Sequence, residues 1–228
     1  MGEVEANLGH IKGRIEEACR RAGRDPAEVE VVGVTKTVGP ERISEAAAAG
    51  LRVFGENRVQ EAEAKIAKVV VADCEWHLIG HLQTNKARPA ARLFQLIETI
   101  DTMRLAETLN RLAAKAGSPI RALIEINTSG EPAKHGFHPT EIGRHFGRIL
   151  ELPWLRIEGF MTVGPLDGPE ATRRCFRELR RLRDDFSCAE PRASLHTLSM
   201  GMTDDFEIAI EEGSTMIRLG RAIFGVRQ

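Results

Sequence analysis

Val31-Val32-Gly33-Val34-Thr35-Lys36-Thr37-Val38-Gly39-Pro40 is the stretch that decides how the chain folds. The residues up to Lys36 are β-branched or small and almost wholly apolar, which suits a strand buried on both faces. Gly39-Pro40 ends it, and Glu41 to Ala49 begins a helical pattern. Lys36 is therefore expected at the carboxyl end of a buried strand, where α/β proteins place their chemistry. Desolvation at the mouth of an apolar pocket lowers the pKa of an ammonium, and the neutral amine is a nucleophile for carbonyls. The other reading is a lysine that only snorkels out of a strand end. The stretch alone leaves both open.

Outward from this strand the same alternation recurs. Residues 3–22 read as an added N-terminal amphipathic helix with Leu8, Ile11, Ile15, Ala18 and Cys19 on one stripe, stopped by Gly23 and Asp25-Pro26. Further strands are expected at Leu51–Phe54, Glu75–Ile79, Gln95–Thr99, Arg121–Asn127, Leu155–Val163, Leu195–Met200 and Thr215–Leu219. The segments between them carry helical patterns, among them Thr102–Ala116, Thr140–Leu150, Pro169–Asp185 and Asp204–Glu212. Eight strands separated by helices, with no Pro- or Ser-rich linker, are the element count of one (β/α)8 TIM barrel over residues 1–228. A doubly wound open sheet is the alternative, but it calls for a Gly-rich turn after strand one, and no G-x-G-x-x-G follows Lys36.

Composition narrows the function. Net charge is −1, from 32 basic and 33 acidic side chains, so nothing global points to nucleic acid or a membrane. No apolar run approaches a membrane span. The start is acidic, without the apolar core of a signal peptide, and Ala6 stands where a myristoylation signal has Ser or Thr. Cys19, Cys74, Cys175 and Cys188 show no C-x-x-C spacing, and a reduced cytoplasmic setting fits them. The arginines from Arg173 to Arg183 alternate with acids and read as a solvated helix face. His77 and His81 have H-x-x-x-H spacing, but they fall on strand and loop, with Leu78 where a zincin has Glu, so no metal is expected of that pair.

A barrel's phosphate site sits at the ends of strands seven and eight. Those ends read Leu198-Ser199-Met200-Gly201-Met202 and Arg218-Leu219-Gly220-Arg221-Ala222. Ser199 offers a hydroxyl donor, Gly220 lets backbone N–H groups approach an anion, and Met200 and Arg221 can add main-chain N–H groups. Strand alternation turns Arg218 and Met216 into the barrel and Ile217 and Leu219 toward the helices. A lysine amine near an anion site suits an aldehyde that carries a phosphate, and pyridoxal 5′-phosphate (PLP) is the common cofactor of that kind. Arg218 is the candidate for its ring nitrogen. A guanidinium cannot give up its proton, which leaves the pyridine a weak electron sink.

Lys36 in Val-Thr-Lys-Thr, Phe54-Gly55-Glu56-Asn57-Arg58-Val59-Gln60-Glu61, Trp76-His77-Leu78-Ile79-Gly80-His81-Leu82-Gln83-Thr84-Asn85-Lys86 and the run Leu198–Gly225 together resemble the pyridoxal phosphate homeostasis protein family. The resemblance spans nearly the whole chain. It implies a barrel like the N-terminal domain of alanine racemase, with Lys36 holding the cofactor as a covalent imine. It also implies phosphate contacts from Ser199, Met200, Gly220 and Arg221, Arg218 near the pyridine nitrogen, and Asn57 close to the cofactor. Two positions depart from the family pattern. Val38 stands where many members have a second Lys, and Arg221 stands where Thr or Ser is frequent.

Three functions compete at this stage. One is a monomeric binder that stores PLP and passes it to PLP-dependent apo-enzymes. The second is an amino-acid racemase or decarboxylase on the same barrel, and the third an aldolase using Lys36 on a sugar phosphate. The related racemases use a Tyr from a further C-terminal domain as second base. Here the sequence stops after strand eight and contains no Tyr, so the binder is expected. An aldolase has no need of Arg218 at a ring nitrogen.

Overall fold

The computed structural model describes residues 2–69 and 73–225. Strands β1 (Glu30–Val34), β2 (Val53–Glu56), β3 (Glu75–Leu78), β4 (Leu96–Ile100), β5 (Ile120–Glu125), β6 (Leu155–Met161), β7 (Thr197–Ser199) and β8 (Met216–Leu219) follow one another around a closed barrel. Each pairs in parallel with its neighbours, and β1 closes on β8 through Val32↔Arg218. Parallel neighbours need crossovers. These carry α2 (Pro40–Ala48), α3 (Val59–Ile66), α4 (Ala87–Leu93), α5 (Met103–Ala116), α6 (Ile142–Leu150), α7 (Pro169–Ala189) and α8 (Phe206–Glu211). The helix α1 (Glu3–Ala22) precedes the barrel, and the short α9 (Arg221–Phe224) follows β8.

The main apolar core lies between barrel and helices, where Phe54, Leu78, Ile97, Ile124, Phe160, Ile217 and Leu219 are fully buried. A smaller cluster of Val32, Val53, Leu96, Leu123, Met161 and Met216 fills part of the interior. Met216 thus faces inward and Ile217 outward, as the alternation in strand eight requires. Helix α1 buries Val4, Ile11, Ile15, Ala18 and Cys19. It lies against α2, α8 and α9, with Arg14 bound to Glu207 and Asn7 donating to the Ile223 carbonyl at 3.0 Å.

Several strands end elsewhere than the sequence suggests, β5 and β6 each two residues early, and two of the shifts, in β1 and β2, bear on the site. β1 stops at Val34 because the Val38 N–H turns back to the Thr35 carbonyl at 2.9 Å, so Lys36 sits in a turn beyond the strand. Its side chain is exposed, and the expected desolvation in an apolar pocket is absent. β2 runs to Glu56 instead of stopping at Phe54. Gly55 reads as a turn residue, yet a Cβ there would lie 2.9 Å from Val32 and 3.0 Å from Ile79, so the gap between neighbouring strands requires glycine. Glu56 is fully buried and bound by Lys65 and Thr35.

Candidate functional site

The carboxyl ends of β1 and β8 open on a cleft of about 930 Å³ lined by Lys36, Arg42, Thr203, Gly220, Arg221 and Phe224, among others. Lys36 occupies the second position of the Thr35–Val38 turn, and Thr37 after it has φ 64°. A β-branched residue rarely adopts that region, and holding it there costs about 1–3 kcal/mol. The surroundings impose it. Glu61 Oε1 accepts from the Thr37 N–H at 2.8 Å, and Lys65 Nζ donates to the Thr35 carbonyl at 2.6 Å. The Thr35 hydroxyl donates to Glu56 Oε1 at 2.6 Å, and Lys65 closes the ring by pairing with both Glu56 and Glu61. Burial pushes the Glu56 carboxyl above its ordinary range, with Lys65 and Thr35 drawing it part of the way back. Burial would also raise Glu61, but the Thr37 N–H and the Lys65 ammonium outweigh it and hold that carboxyl low. The Lys36 amine is thus carried on a strained turn fixed from below.

On the other wall, Gly220 and Arg221 open α9, and the leading N–H groups of a helix have no acceptor within it. Arg221 pairs with Asp204. Arg42 reaches Glu3 at 3.0 Å through Nη2, while its buried Nε–H has no partner among the described residues. Arg42, Arg221, Lys36 and the Gly220 turn line the same cleft, a set of donors chemically suited to an oxyanion.

Arg218 lies at the floor of the cleft with its guanidinium inside the barrel, only 4 % exposed. Its Nη1 donates to the Ser199 hydroxyl and its Nη2 to the Thr162 carbonyl at 2.8 Å. Ser199 in turn donates to Glu98 Oε2 at 2.6 Å, and Glu98 Oε1 meets His77 Nδ1 at 2.9 Å. Burial alone would strip the proton from His77. The carboxylates of Glu75 and Glu98 outweigh it and raise the imidazole to about 9. Burial opposes the ionisation of Glu98 as well, yet His77 and Arg218 hold it below its ordinary range. Cation, carboxylate, hydroxyl and cation therefore run in a line across the barrel interior.

The cleft brings together Lys36, Arg218, Gly220 and Arg221. Ser199, Met200 and Asn57 stand outside its lining: the Ser199 hydroxyl serves Glu98, and the Met200 N–H donates to the Met216 carbonyl at 3.1 Å. Asn57 follows β2, where a Cβ on Gly80 would come within 2.4 Å of its carbonyl oxygen, so the β3 loop packs on it only because residue 80 is glycine. Arg42, Thr37, Glu61 and Lys65 escaped sequence reasoning. Glu61 and Lys65 stand four apart on α3 and read as a surface pair.

The model of the alanine racemase N-terminal domain family matches residues 6–228. The pyridoxal phosphate homeostasis protein of Aquifex aeolicus (strain VF5) is 43% identical over 222 residues, covering 97% of each chain. That of Escherichia coli (strain K12) is 40% identical over 231 residues, covering 100% of this chain and 98% of its own. The structure of PipY from Synechococcus elongatus PCC7942 with PLP bound superposes with a TM-score of 0.87 at 33% identity, over 98% of this chain and all of that one. Alanine racemase of Clostridium difficile 630 shares the fold, with a TM-score of 0.76 at 14% identity over 98% of this chain and 56% of its own. Matched end to end in sequence and in barrel, the chain belongs to the pyridoxal phosphate homeostasis protein family, on the fold of the alanine racemase N-terminal domain.

Proposed function

We propose that the chain binds PLP in this cleft, attached through the Lys36 amine as an imine, and holds the cofactor for cytoplasmic PLP homeostasis without efficient turnover. The observation that carries this reading is that Lys36, on its enforced turn, and the Gly220–Arg221 turn open onto the same cleft. The names of the relatives and the cofactor in the PipY structure support it. The donor set suits the group: Gly220 and Arg221, with the Arg42 side chain on the same cleft wall, are proposed for the phosphate, and Lys36 for the aldehyde. When bound, PLP supplies an electrophilic carbonyl conjugated to a pyridine ring. Arg218, fixed by Ser199 and Thr162, is the proposed partner of the ring nitrogen, and as a permanent donor it leaves that nitrogen unprotonated. Ser199 acts by orienting Arg218, and Asn57 by seating the β3 loop beside the cofactor. Met200 contributes through the ladder that sets the end of β7.

A binder fits better than a racemase because, among the described residues, no histidine lines the cleft to carry a proton opposite Lys36, and the sequence holds no tyrosine. His77 is buried against Glu98. Recipients of the cofactor are proposed to be PLP-dependent apo-enzymes, served by a monomer. The test is the visible spectrum of the purified protein before and after borohydride, in wild type and Lys36→Ala. A yellow imine band, bleached by borohydride and absent from the variant, is expected. A colourless protein modified only in the presence of a sugar phosphate would replace this reading with an aldolase. Racemisation of alanine or serine near the ~10 s⁻¹ typical of enzymes, lost in Lys36→Ala, would replace it with a racemase.

A further inference from the structure

We propose that His81, Asp101 and His135 form a binding site for one divalent transition-metal cation of the zinc class, at the mouth of the barrel beyond β3, β4 and β5. One ligand atom from each residue lies within 4.8 Å of the others. His81 Nδ1 is 2.6 Å from Asp101 Oδ2, His135 Nδ1 is 3.9 Å from the same oxygen, and the two imidazoles stack with centroids 3.9 Å apart. Zinc bound at about 2.0–2.2 Å needs tetrahedral ligands roughly 3.3–3.5 Å apart. The 2.6 Å His81–Asp101 contact must therefore open by roughly 0.8 Å and the His135–Asp101 separation close by roughly 0.5 Å, and the two exposed imidazoles can turn to do so while Asp101, with 5% of its side chain exposed, stays fixed.

Glu125, on β5, is buried near Asp101, and its Oε2 has no hydrogen-bond partner among the described residues. The buried cation that acts on it, Arg218, is already engaged by Ser199, Thr162 and Glu98. Asp101 and Glu125 thus place two carboxyl groups on one side of the mouth.

The ligands also stand on anchored backbone. Thr99 Oγ1 donates to the Gly80 carbonyl at 2.9 Å, next to His81. The segment bearing His135 is clamped to the end of β5 by Phe137 N–H to Glu125 O at 2.8 Å and Asn127 N–H to Phe137 O at 3.0 Å. Its neighbour Lys134 donates to the Gly164 carbonyl at 2.8 Å. Anchored ligands are what a metal site needs. Two imidazoles and one carboxylate suit zinc, cobalt or nickel, and three protein ligands leave a position for water or an anionic oxygen. His77, the other member of the H-x-x-x-H spacing, takes no part. None of the three ligands lines the Lys36 cleft, so the site stands apart from the PLP reading.

Cobalt(II) is the probe, titrated into the full-length PLP-free chain carrying Cys188→Ser, since PLP and an exposed thiol both bind cobalt. The expected result is one Co²⁺ per chain with the intense visible bands of a tetrahedral ion, displaced by Zn²⁺. Affinity should fall at least tenfold in both His135→Ala and Asp101→Asn, and His135→Ala, at an exposed position, should melt as the parent does. Equal affinity in His135→Ala, or the weak spectrum of hydrated octahedral cobalt at millimolar protein, would overturn the proposal.

Discussion

At Thr37 the backbone takes φ 64°, and hydrogen bonds to the Thr37 N–H and the Thr35 carbonyl hold the turn on either side of Lys36. Lys65 holds this arrangement, buried between Glu56, Glu61 and the Thr35 carbonyl. Breaking a buried pair from one side costs about 3–5 kcal/mol, because the remaining charge stays unpaired. Lys65→Met should therefore lower unfolding stability by about that much in urea titrations, and slow the rise of the imine band when PLP is added. A second residue-scale prediction concerns Ser199. Its hydroxyl joins Glu98 to Arg218 in the interior, and a hydrogen bond to a charged group contributes about 1.5–3 kcal/mol. Ser199→Ala should thus destabilise the PLP-free protein by that amount in chemical denaturation, whereas a serine that served only the phosphate would leave the PLP-free protein unchanged. The place of Lys36 just past a buried strand was legible in the sequence, although the strand stops at Val34 and leaves the side chain exposed. Its support was not, since a Glu and a Lys four apart look the same on a wet helix face as under a turn.

Among the elements, α1 shows how a stripe of apolar residues translates into a site. Its pattern of Ile11, Ile15, Ala18 and Cys19 was readable directly, but the face it covers depends on the closed barrel, which puts α8 and α9 beside it. Asn7 binds the Ile223 carbonyl inside α9, the helix opened by Gly220 and Arg221. Asn7→Ala should cost about 1 kcal/mol in stability and weaken retention of PLP on dialysis, with the imine still forming at Lys36. Strand eight was legible in full, since Met216 and Arg218 alternate with two aliphatic residues. Strand two was misjudged by two residues because Gly55-Glu56 has the composition of a turn. Only the neighbouring Val32 and Ile79, remote in sequence, make a glycine necessary there.

The molecule as a whole closes in the strand order that the eightfold alternation implies, but the ionic line through its interior joins residues from His77 to Arg218 and has no signature in sequence spacing. That line makes stability depend on pH. His77 is raised from an ordinary 6.5 to about 9 in the folded state, so its contribution is complete below about pH 6.5 and is lost as pH rises through 9. The difference corresponds to roughly 3 kcal/mol between pH 6 and pH 10. Glu125 acts in the same sense at lower pH: burial, reinforced by Asp101, raises it from 4.5 to about 7, so stability falls as the pH rises from about 4.5 to about 7 and the loss is complete above that. Urea unfolding should show the loss, and His77→Gln should flatten its alkaline part. The central claim, that the barrel exists to hold PLP on one lysine, is tested most directly by borohydride reduction of the PLP-loaded protein followed by peptide mapping. The account predicts a single pyridoxyl group on Lys36; a group found chiefly on Lys86 or Lys134 would contradict it.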